Sequence, residues 1–250
     1  MGTFGSIPPE DTVRRNLVVL LVDASGSMGD PGSSPDHRKI DELNDALTDF
    51  VTTHMHEEPK LEINGEIAIG AFSGNELRWL ELGDPVVDDS PFRFARYVTS
   101  APNLGANGAT PMGKAIESAL QAIEQRKDDL SRGGLEHEYR PNVFLLTDGK
   151  PTDSIDKARR LLHDEESAKG ILFFALGTAD ADERQLLSIA NKHNYYSLRS
   201  KPIAWYLKFV SKSLRRQAGR PSSDGAEAFY DDIADAVNKS DEADRFLDGQ

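Results

Sequence analysis

The chain has 250 residues, with 42 Asp or Glu against 29 Lys or Arg and a formal net charge of −13. That length suits one large α/β domain, or one domain plus a tail, with a core that needs no staples. Cysteine is absent, which excludes disulfides, zinc ribbons and thiol catalysis, and the acidic balance disfavours nucleic acid and anionic membranes as main partners.

Residues 1–13 carry Gly2, Gly5, Pro8 and Pro9 and read as a flexible lead-in. The stretch from Met1 to Arg15 lacks the apolar segment of a secretory signal. No apolar run approaches the roughly 20 residues of a membrane helix. The expectation is a cytoplasmic chain with no membrane partner.

The run Leu17-Val18-Val19-Leu20-Leu21-Val22 is a strand buried on both faces, the kind found in parallel sheets. Asp23-Ala24-Ser25-Gly26-Ser27-Met28 follows it directly. One carboxylate and two alternate hydroxyls there offer only oxygen ligands, which suit a hard cation such as Mg²⁺. Gly29 to Pro35 is a polar connection beside this turn. Ile40, Leu43, Leu47, Phe50 and Val51 then mark one face of a helix ending near His54. His54 and His56 at that end read as solvated side chains.

Glu66 to Phe72 is a second strand, Ser73-Gly74-Asn75 a turn, and Leu77 to Leu82 a third strand. So short a link permits only an antiparallel hairpin, with the third strand at a sheet edge. Pro85, Pro91 and Pro102 interrupt residues 83–107, where Phe92 to Tyr97 suits a short helix or a strand. A glycine-rich loop, Gly105 to Pro111, presents Thr110. Met112, Ala115, Ile116, Ala119, Leu120 and Ile123 follow helical spacing. Pro111 suits the first helical position, which makes Thr110 an N-cap. Ordinary capping is therefore one reading of Thr110; the Asp-bearing strand ends on either side support a metal role.

Asn142 to Thr147 is a fourth strand, ended by Asp148-Gly149. A helix over 154–169, a strand over 171–176, a helix over 182–192, a strand over 195–198 and a helix over 203–217 follow. This alternation predicts a doubly wound, mostly parallel six-stranded sheet, with one antiparallel edge strand and helices on both faces. Residues 14–217 form the domain. From Arg199 to Arg220 there are seven Lys or Arg and no acidic residue. The tail, 218–250, is acidic beyond Pro221; Phe229, Tyr230, Ile233 and Val237 allow one short helix there, expected to pack on the basic final helix.

Asp-x-Ser-x-Ser, then Thr, then Asp resembles the metal-ion-dependent adhesion site (MIDAS) of von Willebrand factor type A (VWA) domains. The matching residues are Asp23, Ser25, Ser27, Thr110 and Asp148, all ending strands or lying in loops beside them. The resemblance implies Mg²⁺, with Mn²⁺ as an alternative, touched by Ser25, Ser27 and Thr110 and reached through water by the two aspartates. It implies a non-enzymatic module that binds an Asp or Glu of a protein partner through the metal. Arg14 to Leu17, Phe144 to Asp153 and Trp205 to Ser211 are similar to stand-alone bacterial TerY-like proteins of tellurium-resistance and stress-response systems. Ser/Thr kinases and PP2C-type phosphatases are the partners that likeness implies. Some of those relatives carry a C-terminal zinc ribbon, which a chain without cysteine lacks.

Two other functions use the same residues. One is a Mg²⁺-dependent phosphohydrolase with Asp23 as nucleophile; Ser25 stands where such enzymes want a second Asp, and Lys150 is the nearest base candidate. The other is an adaptor of a chelatase-like ATPase machine, since the chain has no nucleotide-binding Gly-x-x-x-x-Gly-Lys motif of its own.

Overall fold

The computed structural model describes residues 15–57, 59–83, 90–134, 140–178, 180–190, 194–199 and 202–218. The expected lead-in over 1–13 and the acidic tail lie outside them. The basic side chains past Lys208 on the last helix are likewise outside what is described.

Every residue of β1 (Asn16–Asp23) is buried. It lies between β2 (Gly65–Ser73) and β5 (Asn142–Thr147), parallel to both, with Val22 opposite Ala71 and Leu146. With β3 (Glu76–Trp79), β6 (Leu172–Thr178) and β7 (Tyr195–Arg199), the sheet order is β3-β2-β1-β5-β6-β7. β3 runs antiparallel at the edge, as its short turn requires. A seventh strand, β4 (Arg93–Phe94), pairs antiparallel with Glu66 and Ile67 of β2, and a 3₁₀ turn over Ala95–Tyr97 follows it. The stretch read as helix or strand is thus two residues of one and a turn of the other.

Successive residues of a strand face opposite sides, and the core divides accordingly. Val18, Leu20 and Val22 face α1 (Lys39–Thr52) and α6 (Ile203–Ala218). Leu17, Val19 and Leu21 face α3 (Met112–Arg132), α4 (Asp156–Ser167) and α5 (Glu183–Ile189). The helix expected over 154–169 is shorter, and that expected from 182 starts one residue later because Asp182 caps it, accepting from the Gln185 amide at 3.1 Å. A short α2 (Pro59–Asn64), with no apolar periodicity of its own, leads into β2.

At the end of the sheet opposite the β1 turn, buried Glu66 accepts from Arg126 Nε at 2.6 Å and Nη2 at 3.0 Å. Arg15 Nε lies 3.4 Å from the same carboxylate. His56 Nε2 donates to the Val98 carbonyl at 3.0 Å and Nδ1 lies 3.3 Å from Glu62. That histidine ties loops together, contrary to the solvated reading.

Candidate metal centre

The chain leaves β1 for β2 on one side of the sheet, and β5 lies on the other. Loops diverge at such a switch point and leave a crevice beyond the carboxyl ends of the strands. Asp23 and Asp148 end the two central strands at that crevice. Three backbone hydrogen bonds lace the surrounding loops: Ala24 N to Phe72 O at 3.0 Å, Gly26 N to Gly108 O at 2.9 Å, and Asn107 N to Ala24 O at 3.0 Å. Gly108 has φ of +69°, and a Cβ there would meet Gly74 Cα at 2.8 Å. Only glycine allows both the left-handed backbone and the close approach.

Thr110 is pinned on two sides. Its amide donates to Thr152 Oγ1 at 3.0 Å, and its carbonyl accepts from the Thr152 amide at 2.9 Å. Thr110 is not the cap of α3. The Asp153 carboxylate takes that role, accepting from Gly113 N at 3.0 Å and Lys114 N at 2.8 Å. Pro111 precedes the helix at ψ of 61°, outside helical geometry, so the Thr110 hydroxyl is free to face the crevice.

The side chains form a connected set. Ser27 Oγ donates to Asp148 Oδ1 at 2.7 Å, and lies 3.2 Å from Ser25 Oγ. Asp23 Oδ1 accepts from the Ser25 amide at 2.8 Å, and Oδ2 accepts from Thr147 Oγ1. With its proton committed to Asp148, Ser27 has its lone pairs left to offer. Gly149 marks where these groups converge. A Cβ built on it would sit 3.2 Å from Thr110 Oγ1, 3.4 Å from Ser27 Oγ and 3.7 Å from Asp23 Oδ2. Three oxygens therefore surround one cradle that glycine leaves open.

The donor set fits a hard divalent cation such as Mg²⁺ or Mn²⁺, which takes oxygen ligands. Among the described residues no three carboxylate, imidazole or thiol groups gather at one place. A cation in this cradle would therefore lean on hydroxyl oxygens as much as on charge. Burial pushes the Asp23 carboxyl above its usual range; hydrogen bonds from Ser25 and Thr147 oppose that shift, and Asp148 nearby adds to it.

A cation of the chain's own already reaches this set. Lys39, the first residue of α1, is 9% exposed in its side chain, and its Nζ donates to Asp148 Oδ2 at 2.9 Å and Asp180 Oδ2 at 2.8 Å. Burial alone would lower its pKa; the carboxylates of Asp180 and Asp148 reverse that and hold it above the ordinary value. The lysine at the site is thus Lys39, and Lys150 is exposed. Sequence reading missed Lys39, Thr147, Gly149 and Asp153. One signal for Lys39 was available: a cation in the first turn of a helix opposes the helix dipole and needs a carboxylate partner.

The doubly wound sheet, with hydroxyls and carboxylates meeting at its switch point, defines a class of α/β domain whose candidate site lies at the carboxyl ends of its central strands. Residues 18–203 match the von Willebrand factor type A domain family, and the chain belongs to it. A von Willebrand factor A domain-containing protein of Dictyostelium discoideum is 31% identical over 198 residues, which is 78% of this chain and 18% of that protein. This chain thus spans under one fifth of that relative's length. The pilus adhesin SpaC of Lactobacillus rhamnosus GG has a TM-score of 0.55 at 15% identity, over 80% of this chain and 31% of that one. Proximal thread matrix protein 1 of the mussel byssus has a TM-score of 0.51 at 18% identity, over 85% and 49%. At these identities the structural likenesses carry the fold. Among the described residues no helix is long and apolar enough to cross a membrane.

Proposed function

We propose that this domain is a metal-dependent protein-binding module. Asp23, Ser25, Ser27, Thr110 and Asp148 would hold one Mg²⁺ or Mn²⁺. The carrying observation is the cradle beside Gly149, ringed by Thr110, Ser27 and Asp23 oxygens. Bound there, the ion would supply a positive charge that its mostly neutral hydroxyl ligands leave poorly offset. Ser27 and Asp148 act as a preset pair, the carboxylate orienting the hydroxyl. The chemistry such a site takes from outside is a small, well-aimed anion, an Asp or Glu side chain on a partner protein.

The hydrogen bonding of Asp23 supports a binding role over phosphohydrolysis. Both of its oxygens are engaged by hydrogen-bond donors, and Ser25 stands where such an enzyme wants a second Asp. The sequence likeness to TerY-like proteins supports a cytoplasmic adaptor in a bacterial stress-response or kinase/phosphatase system. A Ser/Thr kinase or a PP2C-type phosphatase is then the partner to seek.

The test is capture of such a kinase or phosphatase by the full chain in Mg²⁺ and in EDTA. Binding should vanish in EDTA, return with Mg²⁺ or Mn²⁺, and weaken in Thr110→Ala. Binding that survives both EDTA and Thr110→Ala would move the interface to another face.

A further inference from the structure

The two aspartates at the crevice have no oxygen without a donor. Asp23 is held by Ser25 and Thr147, and Asp148 by Ser27 on one oxygen and Lys39 on the other. The Lys39 ammonium is nearly buried, and Asp148 is wholly so at 0% side-chain exposure. Asp180, the outer partner of Lys39, is 69% exposed, so solvent screens its charge. The buried groups thus sum to two negative charges and one positive.

We propose that Lys39 is a tethered counter-cation that sets how strongly this site holds a divalent ion. This rests on the metal-binding reading above. A divalent ion entering the cradle meets a fixed ammonium on the far oxygen of Asp148, in surroundings where charges interact more strongly than in water. Half of the site's buried negative charge is already compensated. An ion alone is therefore held weakly, and a partner carboxylate supplies the missing negative charge, which makes metal and partner binding mutually dependent. Lys39 also replaces that ion when the site is empty of metal. Without it, Asp148 would be a buried carboxylate lacking a counter-charge.

Lys39→Met keeps the length and apolar stem of the side chain and removes the charge. Its Mn²⁺ affinity, read by electron paramagnetic resonance of the free ion, should be tighter than that of the unmodified protein by about tenfold or more. In EDTA its melting temperature should fall below that of the unmodified protein, and Mn²⁺ should raise it by more. A purely structural lysine would lower both melting temperatures without tightening the metal. Lys39→Gln retains a donor for Asp148 and should shift affinity in the same direction, which keeps the test open if Lys39→Met does not fold. Lys39→Arg should stay near the unmodified affinity. Lys157→Met, at an exposed lysine on α4 paired with Glu117, should also leave affinity unchanged and so exclude a general charge effect. Unchanged or weaker Mn²⁺ binding in folded Lys39→Met and Lys39→Gln, beside measurable binding in the unmodified protein, would overturn this role alone. Absence of binding in all of them would remove the metal reading as well.

Discussion

Gly149 has no side chain to place in the crevice, and the oxygens around it are close enough to notice one. If the site holds a metal as proposed, Mg²⁺ or Mn²⁺ should raise the melting temperature, and Gly149→Ala should abolish that rise without deleting any ligand. A Cβ at 3.2 Å from Thr110 Oγ1 is tight but is met by side-chain oxygens, so the fold should survive. Thermal melts with metal and with EDTA would check it; an undiminished metal response would place the ion elsewhere. Tyr206 is a second single-residue case. It is 1% exposed, its hydroxyl has no hydrogen-bond partner among the described residues, and burial raises its pKa well above the ordinary value. An unpaired buried hydroxyl costs stability of about 1–3 kcal/mol. Tyr206→Phe should therefore be neutral or stabilising in urea unfolding, and a loss beyond about 1 kcal/mol would reveal a partner for the hydroxyl.

At the scale of elements, α3 and the Asp153 segment depend on each other. Asp153 lies 40 residues from Gly113, yet its carboxylate satisfies two of the amides at the start of α3. Asp153→Ala should cost about 0.5–2 kcal/mol, the usual loss of a helix cap. Thr110→Ala should cost less stability while reducing the metal response, because Thr110 is a candidate ligand and not the cap. Urea unfolding of both variants, with metal titrations alongside, separates the two roles. Equal stability losses would return the cap to Thr110.

Across the whole molecule, the sheet carries a buried charge cluster at each end. The switch-point end holds Asp23, Asp148 and Lys39, and the other holds Glu66 with Arg126 and Arg15. Glu66 is 1% exposed, and its carboxylate links β2 to α3 and to the residue preceding β1. Glu66→Ala strands two arginines at a largely buried position, so a loss of about 3–5 kcal/mol is expected, as for a broken buried pair. The metal response should persist if the protein remains folded, because the cluster lies at the opposite end of the strands. Melts with and without Mn²⁺ test both; a lost metal response in a folded variant would show that the two ends are coupled.

The central architecture was legible because β1 and β5 are continuous apolar runs buried on both faces, and because α3 repeats its apolar residues at helical spacing. Local chemistry also marked the five candidate ligands, since hydroxyls and carboxylates sit at strand ends and a glycine-rich loop. β4 and α2 were not legible: a two-residue strand and a six-residue helix are too short to show a period. The adjacency of β1 and β5, which brings Asp23 and Asp148 to one crevice, is written in neither strand; the fold shows it directly. The chain by itself determined which segments become strands and helices, because burial patterning acts within a few residues. Tertiary structure alone decided which distant groups share a charge. Lys39 meets Asp148 across 109 positions and Asp180 across 141, because pairing through space depends on how helices lie on the sheet, and no local pattern records that.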